Sequence, residues 1–308
     1  WPGGIETQRI YSPYQIIERE TTTDGYTNIR AAGHFYQRVH NYANWYVATS
    51  PNPDDATRSK YYELPFRIFG APEKAVVVGA GSGNDVAAAL RMGARRVDAV
   101  EIDPVIVALG RTSHPEGPYR DSRVRTVVND ARTFFRNADE KYDMIVYGLL
   151  DSHSVLNNAA SLRLDSFVYT VEGFREARSC LTDDGVFSLS FFVLSPELGQ
   201  KIYTMLKEAF DGREPVCLKS TRGGFFVYLQ SERGDITMDP EVLSAAGFED
   251  VSAIMGADQF TTDVSTDDWP FFYMPRRVYP FSYLGMIGTV ILLTLVMLGA
   301  LMPGKPSR

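Results

Sequence analysis

Residues 75–85 read AVVVGAGSGND. An alanine and three valines form a short strand with no polar face. A glycine-rich turn follows at Gly79, Gly81 and Gly83, and a helical run, DVAAALRM, occupies 85–92. A strand that is apolar on both faces belongs inside a parallel sheet covered by helices on either side. Outward from this point the alternation continues. RVDAVEI (96–102) reads as a second strand, Val124–Val128 as a third, DMIVYGLL (143–150) as a fourth and GVFSLSFFV (185–193) as a fifth. Amphipathic helical runs lie at 171–181 and 196–210. Further strands are expected at 215–220 and 224–230, joined by TRGG (221–224), a hairpin signal.

These elements imply an α/β fold: a Rossmann-like, doubly wound, mainly parallel sheet that ends in an antiparallel hairpin, as in methyltransferase-like folds. Before it, residues 1–70 form a β-rich unit. IYSPYQIIERETT (10–22) and GYTNIRAAGHFYQ (25–37) carry β-branched and aromatic residues, with a turn at TTDG (22–25). A Pro/Asn/Asp-rich loop (SPNPDD, 50–55) precedes a helix over Tyr61–Phe69. The expected division is an N-terminal β domain (1–70), a Rossmann-like α/β domain (71–235), a C-terminal extension or lid (236–279) and a membrane helix (280–303).

The last assignment rests on FSYLGMIGTVILLTLVMLGALM (281–302), which holds no charge. As a helix at about 1.5 Å per residue it reaches about 33 Å, enough for a hydrocarbon core of about 30 Å. Basic residues flank both ends, so charge sets no orientation. With Trp1 first and no signal peptide, a piece of a longer membrane protein is expected. Lys plus Arg number 31 and Asp plus Glu 38, a net charge of −7 that argues against a nucleic-acid partner. Two cysteines provide no disulfide framework, and the four histidines form no HxxxH pair, so no metal is expected. The cysteine usage fits a reducing compartment, and hence a catalytic domain on the cytoplasmic side of a membrane.

The turn at 79–83 has GxGxG spacing, where a dinucleotide fingerprint has GxGxxG. That suits the methionine part of an S-adenosylmethionine-type ligand better than a pyrophosphate. Glu101 ends the second strand, where a carboxylate accepts bonds from ribose hydroxyls. Asn129-Asp130-Ala131-Arg132 ends the third, in reach of an adenine, with Asp130 the candidate acceptor for its amine. Each acid alone also reads as a helix N-cap. Together, at successive strand ends, they point to a nucleoside.

With these residues named, the chain over roughly 8–235 resembles the polyamine aminopropyltransferases, spermidine synthase-like proteins, and most closely the membrane-fused type. Tyr11-Ser12-Pro13-Tyr14-Gln15-Ile16-Ile17 is similar to the family's SxYQxI strand, which implies that Gln15 contacts the donor. Gly33–Gln37 (GHFYQ) sits at the DGxxQ turn, and Tyr61-Tyr62-Glu63 resembles the YHE element, which implies Tyr62 and Glu63 on the substrate. Val100-Glu101-Ile102-Asp103 matches VEID. The strand at 142–146 followed by Asp151 resembles the strand and catalytic loop, which implies a catalytic Asp151. Besides Tyr62 in the middle of YHE, Ser152 in place of the loop's Pro and the missing Tyr-Pro pair before the last strand, two departures bear on the chemistry. Ser82 stands where the glycine motif carries an acid for the donor's amino group, and Gly148 where the loop carries its first acid.

The loop LLDSHSVLNNAASLRLDSF (149–167) offers Asp151 and His153 as catalytic groups and Asp165 as an amine-binding acid. Thr266–Tyr273 (TDDWPFFY) is a second acidic-aromatic cluster, either a lid or an interfacial belt. The leading expectation is transfer of an aminopropyl group from decarboxylated S-adenosylmethionine to a small amine such as putrescine. The alternatives are a methyltransferase using S-adenosylmethionine and a non-catalytic nucleoside-binding membrane protein. A homo-oligomer is compatible with all three.

Overall fold

The structure is a computed structural model that describes residues 6–22, 26–50, 52, 54–149, 167–234, 236–257, 259–279 and 281–301. Four antiparallel strands open the chain: β1 (Glu6–Tyr11), β2 (Ile16–Thr21), β3 (Thr27–Ala31) and β4 (His34–Val39). Each of the two β-rich stretches is thus a hairpin. Pro13 lies in the first turn, where the Ser12 hydroxyl accepts the N–H groups of Tyr14 and Gln15 at 3.1 and 3.0 Å. The second turns at Ala32 and Gly33, both at positive φ, the pairing that the twist of a tight hairpin favours. Ile17, Ile29, Ala31 and Val39 point to one face and pack with Ile106 and Leu109 of the α/β body.

Two helices, α1 (Asn44–Thr49) and α2 (Asp54–Phe69), lead into the main sheet. Helix α2 starts earlier than the expected Tyr61, because Asp54 and Asp55 supply an acidic first turn. There follow β5 (Lys74–Val78), α3 (Asn84–Arg91), β6 (Arg96–Glu101), α4 (Pro104–Ser113), β7 (Val124–Val128), α5 (Ala131–Arg136), β8 (Tyr142–Tyr147), α6 (Val171–Ser179), β9 (Leu181–Phe192), α7 (Pro196–Ala209), β10 (Val216–Ser220) and β11 (Phe225–Ser231). Leu181 belongs to the strand, not the helix before it. The chain then adds α8 (Pro240–Ala246), β12 (Phe248–Asp250) and α9 (Ser252–Gly256).

The sheet order is β12-β10-β11-β9-β8-β5-β6-β7. The run from β9 to β7 is parallel, and β11, β10 and β12 continue it antiparallel. The fold class read from the sequence is the one observed. The reason is visible in β5. Val76 and Val78 enter one core with Phe134, Tyr147 and Phe174, while Ala75 and Val77 enter another with Val86 and Ala89. Successive side chains of a strand point to opposite faces, so a strand buried on both sides must be apolar throughout.

Residues up to Pro275 form one compact unit, and Arg276 onward a second. In the first unit the TDDWPFFY segment is fastened to the body. Phe272 is buried and stacks on Tyr169 with ring centroids 4.5 Å apart. The buried Lys201 ammonium donates to the carbonyls of Phe271 and Met274 at 3.1 and 2.6 Å and lies over the Trp269 ring. The second unit contains α10 (Phe281–Leu301), a helix long and apolar enough to cross a membrane. Its two threonine hydroxyls donate to carbonyls one turn back, Thr289 to Gly285 and Thr294 to Val290.

Candidate functional site

The strand ends that matter are those of β5, β6, β7 and β8. The chain leaves β5 toward β6 on one side, and β8 lies on the other. Ligands of open α/β sheets bind in the crevice at such a switch point, outside the carboxyl ends of the strands.

After β5 the backbone makes its turn with Gly79, Gly81 and Gly83 at φ of 63°, 56° and 105°. At Gly81 a Cβ would fall 2.8 Å from the Gln37 side-chain oxygen, and at Gly83 2.7 Å from Pro118. Positive φ and close neighbours together require glycine at both. The loop is held from three directions. Glu101, at the end of β6, accepts the Gly81 N–H at 2.9 Å with one oxygen and the Asp103 N–H at 3.0 Å with the other. Tyr119 donates its hydroxyl to the Gly81 carbonyl at 2.6 Å. Gln37, on β4, accepts both the N–H and the hydroxyl of Ser82, at 2.9 and 2.8 Å. Glu101 is buried, and burial raises its pKa while the N–H bonds oppose the rise.

The other acids at these ends have partners too. Asp103 caps α4 by accepting the Val105 N–H at 2.9 Å; its second oxygen is buried and has no hydrogen-bond partner among the described residues. Asp130 caps α5, accepting the Thr133 N–H at 2.8 Å, and Ala131 is buried behind it. Val128 stands in register with Glu101, so Asp130 lies two residues beyond that pair, at the same sheet end. The buried Arg132 guanidinium bonds both oxygens of Glu176 and both of Asp267, tying the TDDWPFFY segment to α5.

The residues expected on the substrate side divide. Gln15 lies in the Ser12–Gln15 turn of the N-terminal sheet. Tyr62, on α2, has its ring 5.8 Å from that of Tyr42 and 6.1 Å from that of His40. Burial and the nearby Asp85 charge both raise its pKa. Glu63 is buried and ion-paired to Arg67 at 2.7 Å and Arg91 at 3.2 Å, so its charge is already matched. Asp151, His153 and Asp165 lie outside the described residues.

Several residues in these contacts were not singled out by the sequence. Asn84 accepts the His40 N–H at 3.0 Å and donates to the Arg38 carbonyl at 2.8 Å, joining β4 to the start of α3. Burial pushes the pKa of His40 down to about 3, so the ring is neutral. Asp85 is buried in the first turn of α3, and a Cβ built on Gly148 would lie 2.9 Å from its carboxyl oxygen. The signal for Gln37 was present in GHFYQ, whereas Asp85 reads in the sequence only as an acid in the first turn of a helix.

Comparison with known proteins follows this geometry. The polyamine aminopropyltransferase 2 of Hyperthermus butylicus is 27% identical over 211 residues, 65% of this chain and 65% of that protein, just under two thirds of its length. A crystal structure of spermidine synthase from Thermotoga maritima has the same fold, with a TM-score of 0.57 at 16% identity over 92% of this chain and 89% of that one. So does a spermidine synthase in complex with the transition state analogue AdoDATO, with a TM-score of 0.55 at 16% identity and the same coverages. A family profile described as the spermine/spermidine synthase domain matches residues 59–221, over half of the chain, and the chain therefore belongs to that family.

Proposed function

We propose that this chain transfers an aminopropyl group from decarboxylated S-adenosylmethionine to a small amine such as putrescine. The observation that carries the reading is the Gly79–Gly83 loop held against buried Glu101 at the switch point, within a chain of this family. The known structure with AdoDATO supports the same donor chemistry. In this reading Gly79, Gly81, Ser82 and Gly83 take the donor's methionine-derived part, Glu101 its ribose, and Asp130 with Ala131 its adenine. The second oxygen of Asp130 stays available for the adenine amine while the first caps the helix. Gln15 reaches the donor from the N-terminal sheet, and Tyr62, Glu63 and Asp165 shape the amine side. Glu63 acts there as a fixed, ion-paired wall.

The chemistry asks little of the leaving group, since a sulfonium departs as a neutral thioether. The protein's part is to desolvate and aim the amine, remove its proton and hold its remaining charge. Asp151 and His153, soon after β8 in sequence, are the candidate groups of the 149–167 loop. We place the catalytic part at the cytoplasmic face of a membrane, with α10 as the span.

A methyltransferase is the second reading. Ser82 favours it, because the Ser82 hydroxyl is engaged by Gln37 and puts no negative charge beside the donor's amino group. The full chain incubated with each donor and a panel of amines, read by mass spectrometry, separates the two. Aminopropylated product from the decarboxylated donor supports the proposal. Methylated product contradicts it, and nucleoside binding without any product leaves a non-catalytic protein.

A further inference from the structure

Among the described residues, most acids around the crevice already hold a backbone donor or a cation, and Asp85 stands apart. Glu101 holds two backbone N–H groups, Asp103 and Asp130 cap helices, and Glu63 is ion-paired. Asp85 is 8% exposed, and the one hydrogen bond that bears on its carboxyl among the described residues comes from its own backbone N–H. It follows the glycine loop of β5, while Gly148 directly follows β8, so the two meet at the switch point. A Cβ on Gly148 would stand 2.9 Å from Oδ2 of Asp85 and 3.3 Å from its Cγ. The carboxyl therefore fills the space where a side chain from the end of β8 would begin, and a side chain at 148 would displace it.

We infer that Asp85 supplies the carboxylate that takes the proton from the attacking amine, with Gly148 leaving room for it. This rests on the aminopropyl-transfer reading above. The carboxylate accepts a proton from the ammonium of the diamine. The freed nitrogen lone pair forms the new N–C bond, the C–S pair goes to sulfur, and the neutral thioether leaves. The product departs as a secondary ammonium, and the Asp85 proton passes to water.

The surroundings of Asp85 suit this role. Tyr62 from α2 and Tyr119 from the turn at Pro118–Arg120 are the titratable groups that sense its charge. Both are neutral, and no cation acts on it among the described residues. Burial therefore pushes its pKa up to about 7, where an acid–base group works best near neutral pH. An acid that merely complemented the helix dipole would sit in solvent with a low pKa.

The test uses the full chain with Asp85→Asn, which keeps the shape. Turnover with decarboxylated S-adenosylmethionine and putrescine should fall about 10²-fold or more. Methylthioadenosine affinity should hold, and the acidic limb of the kcat/KM profile near pH 7 should vanish. Wild-type turnover with that limb intact overturns the inference. If the wild-type chain transfers no aminopropyl group, the functional reading fails on its own. Calorimetry of putrescine in the presence of methylthioadenosine then decides the role of Asp85. Affinity lost in Asp85→Asn keeps it as the amine-side acid, and equal affinity overturns it.

Discussion

Glu101 and Asp85 lie at one sheet end, yet burial does different work in each. Both oxygens of Glu101 hold backbone N–H groups that shape the loop. Glu101→Ala orphans those donors, at about 1–3 kcal/mol each. Chemical denaturation should show that loss, and calorimetry should show nucleoside affinity at least about tenfold weaker. Unchanged affinity would remove Glu101 from the ribose. For Asp85 substitution acts on stability with the opposite sign. Its folded pKa is raised from 3.8 to about 7 by burial, so the folded state holds the proton more tightly than the unfolded one. The resulting stability is full below the unfolded value and is lost as pH rises from about 4 to about 7. Asp85→Asn removes that loss. It should be more stable than wild type at pH 8, by up to about 4 kcal/mol, with the gap closing toward pH 4. Urea titrations across this range check it. Glu101 is legible in the sequence because strand, turn and acid follow one another within a short stretch. Asp85 is not, since as a sequence it is an ordinary first-turn acid. Its meaning comes from Gly148, on another strand.

At the scale of elements, the glycine loop is positioned by contacts from outside its own βα unit. Gln37 and Asn84 bind the N-terminal sheet to the loop and to α3, across more than 40 residues of sequence. Gln37→Ala leaves the Ser82 N–H and hydroxyl without their partner. The mutant should lose donor affinity several-fold and about 1–2 kcal/mol of stability. Equal affinity for methylthioadenosine in a direct titration would show that the N-terminal sheet does not shape the loop. The strands from β5 to β9 are legible because burial on both faces demands apolar runs. Strand β12 is not. It has three residues, Phe248 to Asp250, and exists because β10 offers an edge for them to pair with. The two hairpins are legible as β-rich sequence but not as separate strands, because the turns at 12–15 and 32–33 are short interruptions of runs that are otherwise β-forming.

Across the whole molecule, two ends of the chain meet different demands. Arg132, next to Asp130 and Ala131, anchors the segment before the apolar helix through Asp267. While Glu176 keeps its pair with Arg136 at 2.8 Å, Arg132→Met takes from Asp267 its ion pair with Arg132. It should cost about 3 kcal/mol, the low end for a buried pair because Asp267 keeps some solvent contact. Unfolding by urea measures it, and a loss under 1 kcal/mol would mean that the segment is held by Phe272 and Lys201 instead. Removing residues 276–308 should leave a folded protein that still binds nucleoside, while the full chain partitions into lipid vesicles. An unfolded truncation by circular dichroism would make α10 part of the core. The central claim is the reaction itself, and the most direct measurement is product mass from the full chain with putrescine and each donor separately. The account predicts a product heavier than putrescine by one aminopropyl group, formed with decarboxylated S-adenosylmethionine alone. A methylated amine formed with S-adenosylmethionine would contradict it.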